Sequence, residues 1–337
     1  MSVSETNVKK QNQTSVTPES FEEFIGNKRA VEDISMAING VLKRDEVLDH
    51  ILLSGPPGLG KTTLARIIAN KTGGKLYSLM ASTLQKKTDM SLLFLCLQPG
   101  DVVFLDEVHA LPRDVTESLY DIMEYFRLNI YGASDDPGNP VHSMELPRFT
   151  VIGATTAPEL LPEPFRQRFL TQIKLEHYTL DELSEITSFM GERLDMDVDP
   201  EACDEIARRS RRTPRIVKRF LIKLRDYCLA RHIDKITKPV VITFFERERI
   251  GYDGLDDEGR KYITTLYDHF HGKPAGVKSI ASVMGVRPEY LEEEVEPFLL
   301  QEGYIVRTTR GRQVRKHFDD NKENNEAPSL RPPCHPS

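Results

Sequence analysis

Two rhythms of apolar and polar residues run along this chain, and they divide it. In the first half, short apolar runs end abruptly in polar residues at 49–54, 76–80, 101–109 and 149–156. Unbroken apolar runs of that length read as strands buried on both faces, the pattern of a parallel sheet. Between them the apolar residues fall at helical spacing: Val31, Ile34, Ile38 and Val41 in 28–43, a stretch at 64–70, a short one at 88–97, and Leu119, Ile122, Met123 and Phe126 in 114–126. Strands alternating with helices predict an α/β core over 17–180. Beyond residue 181 the strand signal stops. The segments 181–194, 200–210, 214–231 and 237–248 read as helices of a small helical lid domain, 181–250. After Gly251-Tyr252-Asp253-Gly254, helices at 256–271, 277–285 and 288–302 lead into a ribbon at 304–314. Helices followed by a ribbon predict a C-terminal winged-helix domain over 255–315.

Three segments stand outside this scheme. Residues 128–131 and 141–146 flank a turn-rich stretch with Gly132, Pro137, Gly138 and Pro140, predicting a protruding hairpin. It is either a solvent loop or a partner-docking element. Phe21, Phe24 and Ile25 suit a flap against the core. Residues 1–16 and 316–337 are polar and aperiodic and predict disordered ends.

Composition narrows the setting. No apolar run approaches the roughly 18 residues of a membrane span. Cys96, Cys203, Cys228 and Cys334 are scattered without metal-ligand spacing, which predicts reduced thiols and a cytoplasmic protein. The net charge of −7 excludes a general nucleic-acid coat, so any contact with nucleic acid must come from local basic clusters.

The chemistry centres on Gly55-Pro56-Pro57-Gly58-Leu59-Gly60-Lys61-Thr62-Thr63, between a predicted strand and a predicted helix. Gly, four residues, then Gly-Lys-Thr is the phosphate-cradling loop of nucleotide hydrolases. Its glycines let successive N–H groups converge on an anion, Lys61 is a point charge for the outer phosphates, and the Thr62 hydroxyl is a hard ligand for Mg²⁺. The strand at 101–109 delivers Asp106 and Glu107 at its carboxyl end, where ligands sit in an open α/β sheet. Asp106 suits Mg²⁺, and Glu107 suits activation of the attacking water. The strand at 149–156 ends in Thr155-Thr156, whose hydroxyls can bridge a γ-phosphate and the water. Arg166 and Arg168 lie on a proline-rigid segment, as either an ion-pairing surface pair or an arginine that stabilises phosphoryl transfer. Arg208 to Arg215 is strongly basic. Pro214 opens a helix there and sets Arg215 near its start, either facing nucleotide or on a solvated basic face.

In the winged-helix segment, the helix in the recognition position carries Glu289, Glu292, Glu293, Glu294 and Glu296, which a DNA groove would repel. Positive charge lies on the ribbon instead, at Arg307, Arg310, Arg312, Arg315 and Lys316. This predicts contact with the DNA backbone through the wing and little base readout, with protein contact as the other use of such a domain.

These motifs, in this order, resemble the RuvB family of Holliday-junction branch-migration ATPases of the AAA+ class. The resemblance runs from about residue 18 to 315. It is most specific at Leu105-Asp106-Glu107-Val108-His109, Ile152-Gly153-Ala154-Thr155-Thr156, Thr213-Pro214-Arg215 and Leu291 to Tyr304. It implies an AAA+ P-loop ATPase core, a helical lid and a winged helix, with ATP and Mg²⁺ as cofactors. By resemblance, Lys61, Asp106, Glu107, Thr156 and Arg168 are catalytic, and Thr62 and Asp106 hold the metal. Gly58, Gly60, Lys61, Thr62, Thr63, Tyr178 and Arg215 bind nucleotide. Glu124, Tyr125 and Phe126 join that set and lead into the hairpin that docks RuvA. Arg168 falls at the position of an arginine finger acting on a neighbour's ATP. Arg307 and Arg312, with Arg310, fall on the DNA-contacting wing. The implied partners are duplex DNA, four-way junctions, a RuvA-type junction-binding protein, a RuvC-type resolvase and further copies of the chain in a hexameric ring, with no membrane. The implied activity is ATP-driven migration of Holliday junctions in recombination and DNA repair. Thr17 stands where the family has arginine, and Leu170 where it has glycine. Clamp-loader or helicase-loader ATPases share the core but usually lack this winged helix. A scaffold that binds ATP without turnover is the remaining alternative.

Overall fold

The computed structural model describes residues 16–130 and 142–315. Of the predicted ends 1–16 and 316–337, all but residue 16 lie outside them, as does the hairpin tip Asp135–Pro140. The chain divides at Lys238/Pro239 into two compact units.

In the first unit, helix α1 (Lys28–Arg44) precedes strand β1 (Ile51–Ser54), α2 (Lys61–Thr72), β2 (Leu76–Met80), α3 (Lys87–Phe94) and β3 (Val102–Asp106). Then come α4 (Arg113–Tyr125), the ribbon β4 (Arg127–Ile130) with β5 (His142–Glu145), β6 (Thr150–Thr155), the single turn α5 (Glu163–Arg166) and β7 (Thr171–Lys174). Five strands form one sheet in the order β2-β3-β6-β1-β7, and its pairings are parallel. Residues of β1, β3 and β6 are almost wholly buried, which is why their sequences are continuous apolar runs. Because β3, β6 and β1 are neighbours, Ser54, Asp106 and Thr155 end side by side. The sheet thereby gathers three motifs that are far apart in the chain.

The sequence reading missed β7. It is an edge strand in which only Ile173 is buried, so Thr171-Gln172-Ile173-Lys174 carries no apolar run. The Pro-rich segment behaves as predicted. It makes one 3₁₀ turn (Pro158–Leu160) and the short α5, anchored by buried Phe165 and Phe169. The Phe169 ring packs over Gly153 of β6, where an added Cβ would lie 3.0 Å from Cζ.

The lid follows as α6 (Leu180–Arg193), α7 (Pro200–Arg209) and α8 (Pro214–Arg231). Thr179 caps α6 in a reciprocal box with Glu182. The expectation of no strands here is corrected by a two-residue parallel pairing of β8 (Asp197–Val198) with β9 (Lys235–Ile236). Two residues are too few to register as a pattern.

In the second unit, α9 (Lys238–Arg247) precedes α10 (Asp257–Asp268), α11 (Val277–Met284), α12 (Pro288–Tyr290), a π-helical turn (Leu291–Val295) and α13 (Glu296–Gln301). The antiparallel wing, β10 (Ile305–Thr308) and β11 (Gly311–Val314), closes it. Tyr262, Ile263, Leu266, Ile280, Leu291 and Leu299 are fully buried in its own core. The fold is that of the expected winged helix. Among the described residues no helix is long and apolar enough to cross a membrane.

Candidate nucleotide site and wing

A cleft of about 340 Å³ opens at the carboxyl edge of the sheet. Its floor is the loop from Pro57 to the start of α2. Gly60, at the helix N-terminus, has φ of 101°, and a Cβ there would press within 3.1 Å of the Phe24 ring. Only glycine meets both demands without strain. The predicted flap therefore packs onto the loop itself, with Phe24 buried and lining the cleft.

Lys61 is buried, and its ammonium donates to the carbonyls of Gly55 (2.7 Å) and Pro56 (3.0 Å). Burial holds it below the usual lysine range, opposed by the Glu107 and Asp106 carboxylates. Burial pushes the Asp106 carboxyl up, with the Glu107 charge adding to the shift. Paired carboxylates beside a buried cation make a site suited to a divalent metal and polyphosphate. Thr62 and Asp106 line it together.

Glu107 sits at a φ of 50°, a left-handed conformation just past the end of β3. Its Oε2 accepts from the Thr156 backbone N–H (3.1 Å) and hydroxyl (3.0 Å). His109 Nδ1 lies 3.3 Å from the same oxygen and 2.9 Å from Thr155 Oγ1. Oε1 is engaged by none of these contacts.

From the lid come Ile186, Phe189, Met190, Pro214, Arg215 and Lys218. Arg215 approaches the loop so closely that a Cβ on Gly58 would lie 3.0 Å from its own. Tyr178, at the hinge before α6, is buried and donates from its hydroxyl to the Leu59 carbonyl at 2.9 Å. Burial pushes that hydroxyl well above the ordinary tyrosine range. Thr17 also lines the cleft and accepts from Arg66 at 3.4 Å.

The structure thus brings together Gly58, Gly60, Lys61, Thr62, Thr63, Asp106, Glu107, Tyr178 and Arg215 in one cleft, with Thr156 hydrogen-bonded at its rim. Arg168, Glu124, Tyr125 and Phe126 do not line it. Arg168 Nε stands 3.0 Å from Glu124 Oε2 in a part-exposed ion pair without hydrogen-bond alignment. Tyr125 is exposed, and the partly buried Phe126 stacks edge-on to Phe149 against the core. Sequence reasoning passed over the lid stripe Ile186, Phe189 and Met190, whose i, i+3, i+4 spacing was legible but looked like ordinary core. It gave His109 no role of its own and named no partner for the Thr155 hydroxyl, which lies 2.9 Å from His109 Nδ1.

On the wing, Arg307 and Arg312 are direct cross-strand partners. Arg307 is 54% exposed, whereas Arg312 is 15% exposed and bonded to Glu296 and Glu292. Arg310 is exposed at the turn, where its N–H donates to Thr308 Oγ1 at 3.2 Å.

A phosphate loop opposed by two carboxylates is the signature of a P-loop nucleoside triphosphatase. A helical lid that brings an arginine onto that loop narrows the class to the AAA+ ATPases. Three family models cover nearly all the described chain: the Holliday junction DNA helicase RuvB P-loop domain at 16–175, the RuvB AAA lid domain at 178–250 and the RuvB C-terminal winged helix domain at 252–317. The chain is 40% identical over 303 residues to the Holliday junction branch migration complex subunit RuvB of Ligilactobacillus salivarius, covering 90% of each. It is equally similar, over 306 residues, to that of Salinibacter ruber, covering 90% of this chain and 89% of the relative. The solved Thermotoga maritima RuvB Holliday junction branch migration motor superposes with a TM-score of 0.79 at 38% identity, covering 89% of this chain and 96% of that one. The chain belongs to the RuvB family.

Proposed function

We propose that this chain is an ATP-driven DNA translocase of the RuvB type, migrating Holliday junctions in recombination and DNA repair in the cytoplasm. The observation that carries the reading is the pairing of the assembled Lys61–Asp106–Glu107–Arg215 cleft with a winged helix whose ribbon bears the arginines. Loader-type ATPases share the first feature and usually lack the second. A scaffold without turnover would not need the Glu107 carboxylate held as it is.

The donor set fits ATP with Mg²⁺. Gly58, Gly60, Lys61, Thr62 and Thr63 would hold the phosphates, Tyr178 and Arg215 would close on the nucleotide, and Thr62 and Asp106 would ligate the metal. Two protein oxygens suit Mg²⁺. Bound there, the ion would supply charge neutralisation to the phosphates.

The chain's own groups do the rest. Thr156 fixes Glu107 through Oε2, which leaves Oε1 to take the proton of the attacking water. Lys61 and Arg215 offset negative charge from within the protomer. Arg168 lies outside that cleft, on a segment pinned by Phe165 and Phe169, as suits a finger offered to a neighbouring subunit's ATP. With the exposed Glu124 and Tyr125 it would form the face turned to that neighbour in a hexameric ring, with Phe126 anchoring the segment to the core. Arg307, Arg310 and Arg312 contact the DNA backbone. The partners are duplex DNA and four-way junctions, a RuvA-type protein docked at the β4–β5 ribbon and a RuvC-type resolvase.

The deciding experiment is ATP-dependent branch migration of a synthetic four-way junction, with and without a RuvA-type protein. ATP turnover without strand exchange in either condition would reject the reading.

A further inference from the structure

Glu296 is fully buried, though it belongs to the most acidic stretch of the chain. Pro297 has no N–H to donate to the preceding turn, and the helix widens into the π turn Leu291–Val295 just before it. Glu296 therefore leaves the acidic face and points inward, while Glu292 stays part-exposed.

Four hydrogen bonds from three side chains converge on this carboxylate. The Tyr262 hydroxyl donates to Oε1 at 2.8 Å, and Arg312 Nε donates to the same oxygen at 2.8 Å. Arg312 Nη2 reaches Oε2 at 3.1 Å, and Arg307 Nη2 reaches it at 3.0 Å. Arg312 also pairs with Glu292 at 2.6 Å. The backbone supports the same arrangement. Arg312 exchanges two hydrogen bonds with Ala275, and Gly311 passes so near that a Cβ would lie 2.2 Å from the Ala275 carbonyl.

We propose that Glu296, braced by Tyr262, is the positioning residue of the wing: one buried carboxylate holds two cross-strand guanidiniums, so that the ribbon meets DNA phosphates with its cations already aimed. This rests on the reading that the wing binds DNA. It assigns to the acidic helix a role that its charge alone conceals. A flexible arginine must be ordered on binding, and a preset one does not pay that entropy.

Plain electrostatics and positioning predict opposite signs, which makes the inference testable on the full-length protein with duplex DNA at several salt concentrations. Removing a negative charge near DNA should by itself tighten binding. Glu293→Gln, exposed on the same acidic turn and not paired with either arginine, is expected to do so, by about two- to threefold, the scale of one exposed charge. Glu296→Gln is expected to weaken binding about tenfold and to flatten the salt dependence by about 0.9 per lost phosphate contact. Tyr262→Phe keeps the carboxylate and its charge but removes a brace, and is expected to weaken binding in the same direction. It also carries the test if Glu296→Gln does not fold. Tighter binding by Glu296→Gln with an unchanged salt slope, or unaltered binding by Tyr262→Phe, overturns the proposal. The combined Arg307→Ala and Arg312→Ala variant separates the two levels. An unaltered slope there rejects DNA binding by the wing itself, whereas a flattened slope keeps that reading and leaves Glu296 to be judged by its own variant.

Discussion

Glu107 Oε2 accepts two hydrogen bonds from Thr156, one from its N–H at 3.1 Å and one from its hydroxyl at 3.0 Å. One residue thus fixes a carboxylate that stands at the tip of the neighbouring strand. The rotation of Glu107 is set by the end of β6, and only then can its second oxygen be aimed. Thr156→Val should remove the hydroxyl contact and lower kcat roughly 10- to 100-fold, about 1.4–2.7 kcal/mol in the barrier. ATP affinity should hold, and Thr156→Ser should restore most of the rate. A raised nucleotide Kd with normal kcat would assign Thr156 to binding instead.

Arg168 is 33% exposed, beside Glu124 and away from its own cleft. Arg168→Ala should cut hydrolysis by the assembled protein about 10³-fold or more. Mixing Arg168→Ala with Glu107→Gln protein should recover part of the rate, because some interfaces then join an intact Glu107 to a neighbour's intact Arg168. No recovery would place the arginine's action within one subunit. Glu124→Gln removes an exposed ion pair worth at most about 1 kcal/mol, so turnover should change less than about fivefold.

Gly60 combines a φ of 101° with the Phe24 ring at contact distance. Gly60→Ala should cost about 1–3 kcal/mol in backbone strain, displace the flap and weaken ATP binding about tenfold. Nucleotide titration and thermal melting read the two effects separately.

His50 gives a pH dependence. It is buried beside Phe126 and Phe149, accepts from the Val151 N–H at Nδ1 (3.0 Å), and approaches the Met123 carbonyl at Nε2 (3.1 Å). Those partners fix a neutral ring with its proton on Nε2. Burial holds its pKa below the ordinary histidine value. The unfolded chain therefore takes up a proton first. The stability from neutral His50 is fully present above about pH 6.5 and is lost as pH falls toward the lowered folded value, by up to about 1.4 kcal/mol per pH unit. Melting from pH 7.5 to 5.5 should fall more steeply in the native protein than in His50→Gln.

Much of this protein could be read along the chain. The phosphate loop, the Asp106–Glu107 strand end, the lid helices and the wing each announced themselves through local pattern, because each is built by neighbours in sequence. Resemblance to a family then gave Arg168 and Tyr178 expected roles that no spacing supplied. β7 stayed hidden because an edge strand buries one residue in four and leaves no apolar run. The two-residue β8–β9 pairing stayed hidden because it is shorter than any period.

The sequence by itself determined which residue types were available and which elements carried them. The tertiary structure decided their partners. Strand order β3-β6-β1 set Thr156 against Glu107, 49 residues away. At the π turn ahead of Pro297 one glutamate leaves the acidic face of its helix and is buried against the wing arginines, a pairing the charge pattern along the chain did not indicate. Charge read along a chain reports total repulsion. Charge in a fold acts pairwise, at about 3 Å, and in a buried setting where water no longer screens it.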